Sequence, residues 1–281
     1  MNGMLELLLV PFAACLVLTG IHCYLGIHIV SRGVIFVDLA LAQVAALGST
    51  VALLLGYELS SPQAYCMSLG FTFVGAAVFA LGRTRDKSIS QEAIIGIVYA
   101  VSSAAAILVL DRAPHGEEAI KTMLVGSILF ATWPQVAKVA AMYAAVGFLH
   151  FLLRKRFLLI SMNPDQARRE GLWIRFWDFV FYMTFGMIVT SSVRIAGVLL
   201  VFSYLVVPAV CAMLFASTVA RRLLIGWALG FIASVLGLFA SAMWDLPTGA
   251  SVVTMFGVVL VVCAAVKWIL DRTVVRSSRA Y

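Results

Sequence analysis

Nine runs of mainly apolar residues follow one another along the chain. They lie near 5–30, 34–56, 63–82, 91–110, 134–153, 176–193, 196–217, 223–243 and 250–270. An apolar helix of roughly 20 residues is long enough to cross the hydrocarbon core of a bilayer. Of the 281 residues, 63% are apolar and 12% charged, with a mean hydropathy of +1.05. A soluble domain carries roughly 45–50% and about 25%. A water-soluble globule is excluded, and so is a disordered tail, which needs more charge and fewer apolar residues. The fold expected is all-α, a polytopic transmembrane helical bundle with eight or nine spans, occupying residues 1–281 as a single domain. The count falls to eight if the first or sixth run does not span. The first run reads as a retained span, because it has no basic leader and is too long for a signal peptide. Segment 119–130 is too short to cross and reads as an interfacial or re-entrant piece.

Basic residues orient the bundle. All but four of the 20 Lys and Arg residues fall on one set of loops: Arg32, Arg83–Lys87, Arg154–Arg156, Arg168, Arg169, Arg175, Arg221, Arg222 and the C-terminal tail. That side is cytoplasmic by the positive-inside rule. The net charge of +7 then reflects topology and membrane lipid, not nucleic acid. Glu6, Glu58, Asp111, Glu117, Glu118 and Asp245 fall outside, with the N-terminus out and the C-terminus in for nine spans. Trp173, Trp177 and Trp268 mark cytoplasmic span ends, and Trp133 and Trp244 outer ends. The localisation expected is a bacterial cytoplasmic (inner) membrane. Gly226 and Gly230 give a small-residue packing face. The five cysteines sit in apolar runs without C-x-x-C and read as packing residues.

Transporter, intramembrane enzyme and scaffold are the function classes open to such a chain. It carries no H-E-x-x-H, no G-x-S-x-G and no G-x-x-x-x-G-K-[ST]. It is therefore not expected to be an enzyme or to hydrolyse nucleotide itself. No tightly bound cofactor is expected. His22 and His28, six apart, lie nearly opposite on a helix and read as hydrogen-bonded packing residues. His115, Glu117 and Glu118 read as a solvated outer loop.

The loop at about 157–175 is the most informative. Asn163 is a good N-cap, Pro164 suits the first helical position, Asp165 complements the helix N-terminus, and Gly171 supplies a stop. A helix of about two turns is expected, with Ala167 and Gly171 leaving one face small enough to dock in a groove on another protein. A plain connector remains the alternative.

This loop resembles the N/S-P-D-x-A-x-x-x-G coupling segment of the metal-ion ABC importer permeases of the zinc/manganese/iron type. Further stretches are similar to the family's motifs in the same order: Ser31–Gly48, Gln91–Ile97, Leu124–Leu129, Ala196–Ala209 and Asp245–Ala250. The resemblance runs from about residue 20 to 260. It implies a membrane-spanning subunit that moves a divalent transition metal ion (zinc, manganese or iron) into the cytoplasm. It also implies three partners: a second copy of the chain in a homodimer, a separate cytoplasmic ABC ATPase, and an extracytoplasmic metal-binding receptor. Asn163, Pro164, Asp165, Ala167 and Gly171 would couple the permease to the ATPase. A permease of the same architecture for a metal chelate, and a secondary transporter without an ATPase, are the alternatives.

The chain departs from the family where a ligand is expected. With Arg32 and Gly48 in register, the family histidine falls on Gln43 and the family acid on Leu39, with Asp38 one place earlier. A neutral amide oxygen is a poorer ligand than imidazole for Zn²⁺. Asp38, Gln43 and Glu92 are the candidate metal-pathway residues, since an ionisable group within a span is a functional candidate by default. Each has a structural alternative: Asp38 an ion pair with Arg32, Gln43 a bond to a neighbouring helix, and Glu92 a helix-capping role.

Overall fold

The computed structural model describes residues 2–83, 90–112 and 128–278. Its helices are α1 (Asn2–Arg32), α2 (Val37–Leu54), α3 (Pro62–Leu81), α4 (Gln91–Leu110), α5 (Trp133–Leu152), α6 (Arg154–Met162), α7 (Pro164–Arg169), α8 (Ile174–Ala196), α9 (Val198–Phe215), α10 (Val219–Trp244) and α11 (Thr248–Ser278). Among the described residues nine are long and apolar enough to span, all but α6 and α7. The first and sixth runs are both such helices, so nine candidate spans stand among the described residues. Of segment 119–130 only the 3₁₀ turn Ile128–Phe130 is described. Residues 119–127, the loop residues His115, Glu117 and Glu118, and the Leu124–Ser127 part of the resemblance lie outside the described residues.

The spans pack as two groups. Helices α1, α9, α10 and α11 form one, and α2, α3, α4 and α8 the other, with α5 between α1 and α8. Water is absent from the hydrocarbon, so helices associate there by close packing and interhelical hydrogen bonds. Both are present. Gly26 on α1 lies so close to the Leu205 carbonyl of α9 that no Cβ fits between them. Gly226 and Gly230 seat α10 on Cys23 and Thr19 of α1, so the small-residue face is used within the chain. Tyr204 and Ser234 join α9 to α10 at 2.6 Å, and Thr72 and Thr190 join α3 to α8 at 3.1 Å. Large apolar side chains such as Leu108, Phe148, Phe239 and Val261 stay exposed, as lipid contact requires. Trp133, Trp173, Trp244 and Trp268 are exposed at span ends. Trp177 differs: it is half-buried beneath Arg156 and against Phe157, so it braces α6.

One residue separates α8 from α9. Gly197 adopts φ 78° and ψ 162°, a region essentially closed to side-chain-bearing residues. Gly197→Ala is expected to strain this turn by roughly 1–3 kcal/mol. The check is a lowered thermal-unfolding midpoint of the detergent-solubilised protein, with membrane insertion retained.

Candidate functional site

Asp38 and Glu92 each occupy the first turn of a helix, α2 and α4, at the basic end of the bundle. The helix dipole favours an acid there. The α2 N-cap is Phe36, which has no capping side chain. Glu92 reaches across from α4 and accepts the Phe36 N–H through Oε1 at 3.1 Å. Its own helix is capped by Ser90, which accepts from the Ala93 N–H at 3.1 Å. Glu92 therefore ties α4 to the start of α2. Among the described residues, its other oxygen, Oε2, is buried without a hydrogen-bond partner, and so is Oδ1 of Asp38. Asp38 is only 1% exposed and feels the negative charge of Glu92. Two neighbouring acids with orphaned oxygens form a place short of positive charge, since a buried acceptor without a partner costs about 1–3 kcal/mol.

Arg32 does not supply that charge. The expected Asp38–Arg32 pair is absent: Arg32 Nη1 donates instead to Asp178 Oδ1 at 2.8 Å. Arg83 Nη1 donates to Asp178 Oδ2 at 2.5 Å. Arg32 also donates through Nε to the Ser161 hydroxyl, which bonds His28 Nδ1 as well, both at 2.8 Å. The Arg32 guanidinium lies 4.0 Å over the Phe181 ring. The Asp178 carboxylate accepts one charge-assisted hydrogen bond from each of two guanidinium groups, one on each oxygen, and so holds Arg32. Asp178 is not among the residues that sequence reasoning singles out. The available signal was an acid inside the sixth apolar run.

Gln43 is half-buried on α2 and lines neither the acid pair nor the cavity described next. A cavity of about 790 Å³ opens in the outer half between α2, α3, α5 and α8. On α2 it is lined by Ala42, Ala45, Ala46 and Ser49. Residues 38, 42, 45 and 49 recur every three or four positions, so Asp38 continues the face that lines the cavity, while Gln43 is turned about 100° away. Hydroxyls of Ser49, Tyr65, Ser68 and Ser191 line the cavity, with Tyr65 and Ser191 bonded at 2.7 Å. Arg194 and Lys138 are its charged lining residues among those described. Arg194 donates to the Leu59 carbonyl at 2.9 Å and lies over Tyr65. His22 and His28 pack as expected: His22 bonds the Leu18 carbonyl at 2.9 Å and Ser192 at 3.1 Å.

The 157–175 loop folds as its residues dictate. Asn163 Oδ1 accepts the Gln166 N–H at 3.1 Å, and Pro164 opens α7. Gly171, at φ 75°, closes it. The Gly171 N–H bonds the Arg168 carbonyl and the Leu172 N–H bonds the Ala167 carbonyl, both at 3.0 Å, a Schellman motif. One expectation is corrected. Ala167 does not present a small face outward: it is fully buried against Ile160 and Ile174. It is small because α7 lies close upon the chain's own helices. The outward face carries Asp165, Gln166, Arg169 and Glu170.

Comparison with known proteins places the chain among transport proteins. A model of the ABC 3 transport family matches residues 4–267. The manganese transport system membrane protein MntC of Listeria innocua is 26% identical over 196 residues, covering 67% of this chain and 69% of that protein. The chelated iron transport system membrane protein YfeD of Yersinia pestis is 23% identical, covering 100% of this chain and 96% of that protein. Among solved structures, PsaBC from Streptococcus pneumoniae in complex with Fab superposes with a TM-score of 0.75 at 20% identity. That match covers 92% of this chain and 90% of the other and establishes the fold.

Ala167→Trp is expected to overpack the α6–α7–α8 contact, at about 1–3 kcal/mol. Arg169→Trp, on the outward face, is expected to leave it intact. Limited proteolysis checks this: the 157–175 segment is cut faster in the first variant and at the wild-type rate in the second.

Proposed function

The chain belongs to the ABC 3 transport family and is a multi-pass permease subunit, and we propose that its cargo is a divalent transition metal ion carried into the cytoplasm. One observation carries this reading: the buried Asp38 and half-buried Glu92 at the basic end, each with a buried oxygen that has no partner among the described residues. A cation in transit satisfies oxygens that the protein leaves unpaired, and the binding stays weak enough for release. The face of α2 that runs from the outer cavity to Asp38 supplies the route. Relatives named for manganese and for chelated iron support the metal class. In this reading residues 1–281 form one permease domain, and a second copy completes the pathway. A separate ABC ATPase docks on the α7 face, and a metal-binding receptor delivers cargo to the outer side.

A metal chelate is the second reading, favoured by the outer cavity. Arg194 and Lys138 there suit an anionic or oxygen-rich shell better than a bare dication. Gln43 in place of the histidine agrees with it.

Uptake of radioactive manganese(II), iron(II) and ferric citrate by cells lacking their own importers separates the readings. Asp38→Asn and Glu92→Gln are near-isosteric, and the glutamine retains an oxygen to accept the Phe36 N–H. Each is expected to lower bare-ion uptake by about tenfold or more, a barrier change of roughly 1.4 kcal/mol, at wild-type membrane levels. Wild-type uptake in both variants removes the acid pair from the pathway. Uptake confined to ferric citrate, and lost in Arg194→Gln, establishes the chelate reading instead.

A further inference from the structure

The ion cluster around Asp178 stands where the coupling segment joins the spans. Ser161 lies in the last turn of α6, two residues before the Asn163 cap of α7. Its hydroxyl is held by Arg32 and His28 of α1, each at 2.8 Å. Arg32 continues to Asp178 at the start of α8 at 2.8 Å, and Asp178 to Arg83, just beyond the end of α3, at 2.5 Å. The side chains of Arg32, Asp178 and Arg83 are 2%, 0% and 16% exposed. Phe181 covers the guanidinium of Arg32 and packs on His28 at 5.5 Å. One hydroxyl and one carboxylate thus join α6 to α1, α8 and α3.

The remaining contacts between the coupling segment and the spans are mainly aromatic and apolar: Phe157 packs on Trp177 and Phe181, and a second apolar contact lies around α7. Ala167, Ile160 and Ile174 meet there, with Leu172 against them. Apolar contacts carry no preferred direction and allow one surface to slide on another. Buried charge-assisted hydrogen bonds are directional, and separating them leaves an uncompensated charge. A push on α7 is therefore resisted along the Ser161–Arg32–Asp178–Arg83 line and absorbed elsewhere. Helix α3, at the far end of this line, carries Cys66 near its outer end, in the lining of the outer cavity.

Resting on the reading that an ATPase docks on α7, we propose that Asp178 and Ser161 are positioning residues that transmit displacement of the coupling segment into α3, and so to the outer cavity. Cys66 reports that movement, because it is exposed while Cys15, Cys23, Cys211 and Cys263 are buried. The experiment uses the full permease with its ATPase in proteoliposomes. It measures the rate at which a membrane-impermeant maleimide labels Cys66, with and without ATP plus vanadate. The wild type is expected to show a several-fold nucleotide-dependent change. Asp178→Asn and Ser161→Ala are expected to keep the ATPase bound and hydrolysing while that change disappears. Combining them is expected to add nothing further, as for two members of one network. A role confined to folding would instead lower the amount of complex and leave the response of the remainder intact, which overturns the proposal. So does a wild-type Cys66 that ignores nucleotide. If Asp178→Asn does not fold, Ser161→Ala decides alone, since it removes one hydroxyl oxygen, and a wild-type response in it overturns the proposal. A wild-type chain that retains no ATPase overturns the docking reading itself, which is a distinguishable result.

Discussion

Inside a bilayer no water stands ready to replace a lost hydrogen bond, and the arrangement of this bundle depends on that scarcity. Several buried polar side chains answer it twice. Ser192 donates to the Ile188 carbonyl of its own helix at 2.6 Å and also meets Tyr143 and His22. Ser234 returns a bond to the Gly230 carbonyl while holding Tyr204. His150 meets Thr184 at 2.8 Å, and Thr184 bonds the Val180 carbonyl. These hydroxyls satisfy their own protons locally and use the remaining lone pairs to bind a neighbouring helix. Model studies place each such bond at about 0.6–2 kcal/mol. The helix pairs, and the cavity between α2, α3, α5 and α8, inherit their geometry from them.

The exceptions cluster. Among the described residues, unpartnered buried atoms include Tyr24 Oη, His28 Nε2, Arg32 Nη2, His150 Nδ1, Asp38 Oδ1 and Glu92 Oε2. These six belong to the cytoplasmic half of the bundle, while two hydroxyls, Ser103 Oγ and Ser251 Oγ, lie toward its outer side. A stable core pairs such atoms, so the nitrogens and carboxylate oxygens left unpaired at the cytoplasmic end stand out. The two acids and the arginine cluster stay apart even so. Asp178 engages both guanidiniums in bonds of 2.5 and 2.8 Å, and among the described residues no cation pairs with Asp38 or Glu92. An ion pair between Arg32 and Asp38 would have filled the site with the protein's own charge.

The spans were legible because length and apolar content alone specify a membrane helix. The α7 cap and stop were legible because Asn163, Pro164 and Gly171 act through local backbone chemistry. Interhelical pairing was not. Arg32 is six residues from Asp38 and 146 from Asp178 in the chain, and the nearer acid lost. Only the packing of α1 against α6 and α8 brings Asp178 within reach. The direction of the α7 face failed for the same reason. A small residue at position 167 is equally suited to meeting a partner or the chain's own Ile160 and Ile174, and the sequence does not distinguish them. Glu92 shows a third case: its place in a first turn suggested a cap for its own helix, whereas it serves the N-cap residue of α2 across a helix boundary.

Donor chemistry narrows the cargo that such a path suits. The acid pair offers oxygen alone, and Ala42, Ala45, Ala46 and Ser49 bring neither imidazole nor thiolate to the face above it. Zinc is held best where nitrogen or sulfur ligands surround it, while carboxylate, carbonyl and water oxygens suit manganese. The position that would carry imidazole holds Gln43, which faces away from the path. In the proposed pathway, oxygen donors without imidazole would hold an ion by charge and release it by water exchange. Such binding is weaker and more readily reversed, as passage through a membrane demands. On these grounds the proposed path suits manganese(II) better than zinc.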